Sequence, residues 1–153
     1  MQQQARLYRV DGIKLQNSGD LDGALKLFQK AIELDPLYPE VYNDLGIIYE
    51  AQGDPDRAEE SYLQALRVDP HYLGAYSNLA LFYEGKRDLA KATYYWKKRI
   101  ELGDSNDPWT IKAQQRLDDI LLALSQNPMA EIQKKNVDNL MKEVSTGKYT
   151  SKP

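Results

Sequence analysis

The stretch Asn43-Asp44-Leu45-Gly46-Ile47-Ile48-Tyr49, followed by Ala58-Glu59-Glu60-Ser61-Tyr62 and closed by Asp69-Pro70, decides how this chain folds. Around it, Tyr42, Leu45, Gly46 and Tyr49 are spaced i, i+3, i+4, i+7, which puts them on one helical face, and Ala58, Tyr62, Ala65 and Leu66 do the same further on. Gly53 stands where a left-handed residue can close the first helix; Asp54 can cap the second, with Pro55 in its first turn. Pro70 stops the second helix, because proline restricts the residue before it and cannot continue the hydrogen-bond ladder. The segment therefore reads as two amphipathic helices joined by a tight turn.

Shifting the frame by 34 residues in either direction finds the same pattern. Gly12, Gly46 and Ala80 align, as do Ala24, Ala58 and Ala92, the aromatics Phe28, Tyr62 and Trp96, the tyrosines Tyr8, Tyr42 and Tyr76, and Asp20, Asp54 and Asp88. Small residues let paired helices approach closely, and the large aromatic fills the space toward the neighbouring pair. On these residues the chain resembles the tetratricopeptide repeat (TPR) family, built on a 34-residue helix-turn-helix unit. The resemblance covers residues 5–106 as units 5–38, 39–72 and 73–106. It implies an all-α fold, a right-handed TPR superhelix or α-solenoid. Punctuation weakens in the third unit, where Arg87 replaces glycine, Arg99 replaces alanine and Asp104 replaces proline, so the array is expected to end there.

One helical pair cannot bury its own apolar face, so such an array needs a cap. Residues 107–124 supply one: Asp107-Pro108 opens a helix with the apolar set Trp109, Ala113, Leu117, Ile120, Leu121 and Leu124, and Lys112, Gln115, Arg116 and Asp119 as its solvent face. A second amphipathic helix is expected over 128–145, with Met129, Ile132, Val137, Leu140, Met141 and Val144 as its apolar residues, then a disordered end at 146–153. Residues 125–153 carry five Lys against three acidic residues, while the chain as a whole has a net charge of −3. A basic helix beside an acidic array can dock on its own repeats, enter the groove of another copy, or meet an anionic surface.

Composition narrows the function. A pI near 5.2 provides no broad positive field for a phosphate backbone, which argues against a nucleic-acid partner. There is no cysteine, hence no disulfide framework, thiolate metal site or cysteine nucleophile. No stretch is long and apolar enough for a membrane span, and the N-terminus lacks the basic start and apolar run of a secretory signal. The compartment stays open: cytoplasmic, or periplasmic or anchored if a leading segment has been removed. The single histidine, His71, falls in a turn, and no phosphate loop or metal-ligand cluster accompanies it, so neither enzyme chemistry nor a cofactor is expected.

The resemblance implies a concave face lined by the first helix of each unit. Carried over by position, its residues are Arg6, Arg9 and Ile13 in unit one, with Val10 and Gln16; Glu40, Asn43, Asp44, Ile47 and Glu50 in unit two; Ser77, Asn78, Leu81 and Glu84 in unit three, with Gly74. Ile13, Ile47 and Leu81 would form an apolar strip, Arg6 and Arg9 a basic end, and Glu40, Asp44, Glu50 and Glu84 an acidic middle. Asn43, Ser77 and Asn78 could hydrogen-bond a peptide backbone. Family members that grip the C-terminal carboxylate of heat-shock chaperones need Lys, Arg and Asn at set positions. Arg9 fits one, whereas Ile13, Asp44 and Gly74 do not, and Asn78 brings no charge. The expected function is noncatalytic: an adaptor holding a peptide or helix of another protein. The alternative is a scaffold that self-assembles as a homo-oligomer through residues 128–145.

Overall fold

The computed structural model describes residues 1–127 and 130–146, and these form eight helices. They are α1 (Gln2–Asn17), α2 (Leu21–Leu34), α3 (Pro39–Ala51), α4 (Pro55–Val68), α5 (Leu73–Gly85), α6 (Leu89–Leu102), α7 (Pro108–Ser125) and α8 (Ala130–Ser145). No strand occurs among the described residues. The chain divides into two compact units, Met1–Ala75 and Tyr76–Pro153. The expectations for Pro128, for Met129, for the side chain of Val144 and for the 147–153 end lie outside the described residues.

Each turn inside a repeat is built the same way. Gly19 and Gly53 take left-handed φ values of 88° and 74°, and the next residue's amide closes the helix by donating to Leu15 O and Tyr49 O. Asp20 and Asp54 then cap the following helices by accepting from the amides of Gly23 and Arg57 at 2.8 and 3.1 Å, each such cap contributing about 1 kcal/mol. The third turn is the same one made with the wrong residue. Arg87 adopts φ 58°, Asp88 donates to Tyr83 O, and Asp88 caps α6 through the amide of Lys91. A side chain in that region costs roughly 1–2 kcal/mol, so the loss of glycine strains the turn without changing its path.

In the first unit, α1 pairs with α2, α3 with α4, and α2 stacks on α3. Ala24, Phe28, Ala31, Val41 and Ile48 are wholly buried there. A Cβ on Gly12 would lie 2.6 Å from the Phe28 ring, and one on Gly46 would overlap the ring of Tyr62. Both positions are therefore held small by the aromatic of the partner helix.

In the second unit the core is Ala92, Tyr95 and Trp96 on α6, with Tyr83 of α5 stacked on Tyr95 at 5.6 Å between ring centres. Helix α7 packs on α6 through Thr110, Ala113, Leu117, Ile120 and Leu124. This corrects the expected apolar set: Trp109 and Leu121 are 47% and 44% exposed, because each lies one position, about 100° of rotation, off the buried face. Arg99 departs from alanine for a reason visible here. Its guanidinium, 3% exposed, donates to Thr110 Oγ1 and to Asp107, the residue that caps α7. Arg99 ties the cap helix to the array, and it holds the Asp107 carboxyl below the usual carboxylate range through that hydrogen bond. Helix α8 packs chiefly on α6 of its own chain, burying Val137 and leaving Ile132 exposed.

Candidate functional site

The two units present the expected residues separately. In the first, α1 and α3 are joined by one ion pair: Arg9 Nε donates to Asp44 Oδ2 at 2.6 Å. The helical spacing that puts Arg6, Arg9 and Ile13 on one face of α1 puts Glu40, Asp44 and Ile47 on one face of α3. Arg6 is exposed, Arg9, Ile13, Glu40 and Ile47 are half-buried, and Asn43 and Asp44 are buried. The Arg9 guanidinium also sits 5.8 Å from the ring centre of Tyr38, the residue that precedes α3.

Burial disfavours charge on both partners, and its cost falls on the carboxylate. The Asp44 side chain is 10% exposed against 26% for Arg9. Burial pushes Asp44 up from its ordinary value, Arg9 pulls it back, and Glu40 one turn earlier adds to the rise. For Arg9, burial is outweighed by the hydrogen bond and charge of Asp44, so the guanidinium stays protonated. Tyr72 lies beside the pair; burial first, then the charges of Asp44 and Glu40, push its hydroxyl up to about 12. That hydroxyl also covers Gly74, where an added Cβ would come within 2.9 Å of it.

In the second unit Ser77 is buried and Asn78 and Leu81 are half-buried on α5. Glu84 is engaged from two sides. It accepts from Trp96 Nε1 at 2.6 Å and from the guanidinium of Arg116 on α7. This corrects the expectation that Arg116 belongs to the solvent face of the cap. Glu50, 34 residues earlier, plays the same part in the first unit, where Tyr62 donates to it at 2.6 Å. The two acidic residues therefore double as acceptors for the core aromatics of their own repeats. Gln16 stands at the same position in the first repeat, where the aromatic is Phe28, which has no donor.

Sequence reasoning missed Tyr38 and Tyr72, whose role beside Arg9 and Asp44 was unassigned, and Lys112, whose ammonium lies 4.3 Å from the ring centre of Trp109. A signal existed for the tyrosines, which are themselves 34 residues apart. His71 is exposed in its loop. Among the described residues no group of three or more His, Cys, Asp or Glu is placed to hold a metal ion, and no helix is long and apolar enough to cross a membrane.

Antiparallel helix hairpins repeated at a 34-residue interval place the molecule among the helical-repeat proteins. Residues 17–53 match the family model described as TPR repeat, and residues 39–72 match that described as tetratricopeptide repeat. The matched span, residues 17–72, is tetratricopeptide repeat. No curated protein matches it. Among solved structures, the first TPR of Spaghetti (RPAP3), bound to the HSP90 peptide SRMEEVD, is 23% identical with a TM-score of 0.72, covering 82% of this chain and 98% of that one. The TPR2B domain of yeast Sti1, in a complex with pHsp70, is 17% identical at 0.70, covering 77% and 96%. The Yersinia enterocolitica type III secretion chaperone SycD, in complex with a peptide of the translocator YopD, is 23% identical at 0.67, covering 84% and 93%. At these identities the likeness is one of fold.

Proposed function

We propose that this protein is a noncatalytic adaptor that holds a peptide segment or helix of another protein against the first-helix faces of its repeats. The observation that carries the reading is the α1–α3 face of the first unit. Half-buried Ile13 and Ile47 offer apolar contact there, and Arg9 and Asp44 fix a charged register between them. On α5, Leu81 and Asn78 repeat the apolar and polar elements. The solved structures of similar fold supply the precedent, two of them bound to a peptide of a different protein and one in a complex with pHsp70. The carboxylate grip of the heat-shock readers is not part of the proposal. Arg9 is already paired to a carboxylate of its own chain, and Gly74 carries no donor.

The test is selection from a random dodecapeptide display library, followed by fluorescence anisotropy on the selected peptides. Ile47→Ser and Leu81→Ser, both at half-buried positions, should each weaken binding by about tenfold, the effect of losing one apolar anchor. Failure to enrich any peptide, or binding untouched by both substitutions, refutes the reading. The second reading, self-assembly through residues 128–145, has one observation in its favour: Ile132 on α8 is 54% exposed, as is Leu122 on α7 at 57%. Light scattering across a concentration series, on the intact chain and on a form ending at residue 126, decides it. A larger species that collapses to monomer on truncation supports self-assembly, and a 17.5 kDa monomer at every concentration refutes it.

A further inference from the structure

Asp44 has more acceptor capacity than Arg9 uses. Glu40 and Asp44 stand one helical turn apart on α3, and Arg9 is the cation that pairs with Asp44, while Arg6, one turn earlier on α1, is exposed. The Asp44 side chain is nine-tenths buried, yet its hydrogen bond runs through Oδ2 alone; among the described residues Oδ1 accepts none. Oδ1 is also absent from the polar atoms that are sealed from solvent without a partner, so it remains within reach from outside. A carboxylate offers about four acceptor positions and suits a forked guanidinium, so a buried one that uses a single oxygen has capacity to spare. Tyr38 provides a ring for a cation, and Tyr72 a second phenol beside the two acids. The small Gly74 lets Tyr72 lie there.

We infer that this socket takes an arginine or lysine side chain of the bound segment, which shares or replaces the place of Arg9 on Asp44. The inference rests on the peptide-holding reading above and adds the chemistry of the partner: a segment with a basic residue beside apolar ones. Arg9 is then an internal occupant that must yield, and the site reads a charge opposite to that read by a carboxylate-gripping face. An acidic segment would meet Glu40 and the buried Asp44 at the cost of repulsion, and would find the Arg9 guanidinium already paired.

The sign of one substitution separates the alternatives. Arg9→Met keeps the aliphatic stem and removes the internal cation. The peptides selected by the wild-type chain from the random dodecapeptide library are synthesised with a fluorescent label and titrated against Arg9→Met, Asp44→Asn and Glu40→Gln, with circular dichroism to confirm the helices. The expected result is basic selected peptides whose affinity rises roughly three- to tenfold on Arg9→Met and falls about tenfold on Asp44→Asn, the scale of one charge-assisted hydrogen bond. Glu40→Gln should weaken binding less, and it supplies the sign if Asp44→Asn fails to fold. Acidic peptides whose binding is lost on Arg9→Met would overturn the socket while leaving the adaptor standing. So would basic peptides indifferent to both Arg9→Met and Asp44→Asn. Enrichment of no peptide at all would overturn the adaptor and the socket with it.

Discussion

Glu84 and Trp96 offer the sharpest test of how the repeat is held together. Trp96 is fully buried, its indole N–H donates to Glu84 at 2.6 Å, and the Glu84 side chain is 15% exposed. A hydrogen bond to a charged acceptor contributes about 1.5–3 kcal/mol, and a buried donor left without an acceptor costs about 1–3 kcal/mol. Glu84→Ala should therefore destabilise by about 2–4 kcal/mol. Little of that comes from Arg116, whose side chain is 42% exposed and whose ion pair is worth at most about 1 kcal/mol. Glu84→Gln keeps an acceptor and should cost about 1 kcal/mol. Combined with Trp96→Phe, which removes the donor, Glu84→Ala should show a coupling of about 1.5–2.5 kcal/mol in a double-mutant cycle read by urea denaturation. The first repeat is the internal control. There the aromatic is Phe28, which has no donor for Gln16 at the aligned position, so Gln16→Ala and Phe28→Leu should be additive within about 0.5 kcal/mol. A Glu84–Trp96 coupling no larger than that of the control would refute the claim that the aromatics Tyr62 and Trp96 are held by an acceptor on the first helix of their repeats.

Four further outcomes follow from the structure. Arg99→Ala removes a buried side chain with its hydrogen bonds to Thr110 and Asp107 and leaves a cavity, and should cost about 2–4 kcal/mol, with hydrogen exchange accelerating first in the opening turn of α7. Arg87→Gly should stabilise by about 0.5–1 kcal/mol, because relief of the left-handed strain exceeds the extra freedom of glycine in the unfolded chain, whereas Gly46→Ala should destabilise by about 1–3 kcal/mol against the Tyr62 ring. Raising the pH should also weaken the fold. Tyr72 ionises near 10 when unfolded and near 12 when folded, so its contribution is intact below about 10 and is lost as the pH climbs toward 12; Tyr72→Phe should flatten that decline in denaturation curves taken at about pH 9 and 11.5.

Much of the fold was legible because the period is carried by residues whose physics is local. The capping aspartates, the turn glycines, and Gly12 and Gly46 beneath the rings of Phe28 and Tyr62 each satisfy a requirement within a few residues or within one hairpin. Reading failed where a side chain acts across helices distant in sequence. Arg116 looked like a solvated residue because its neighbours in sequence are polar, yet Glu84, 32 residues away, claims it. Trp109 and Leu121 looked like core because they are apolar, and the rotation of α7 turned them outward. Arg99 read as a failing repeat, and it is the anchor of the helix that ends the array.

The candidate site divides the same way. The resemblance to the tetratricopeptide family, carried over by position, put Arg9, Ile13, Asp44 and Ile47 on first-helix faces, and 3.6 residues per turn determines which of them share a side. It could not say that Arg9 would spend its charge on Asp44, or that two tyrosines outside the helical pattern would close around the pair. Those outcomes depend on the distance between α1 and α3 and on how far water is kept from a carboxylate. Ion pairing and desolvation are properties of the space between elements, and only the packed chain decides them.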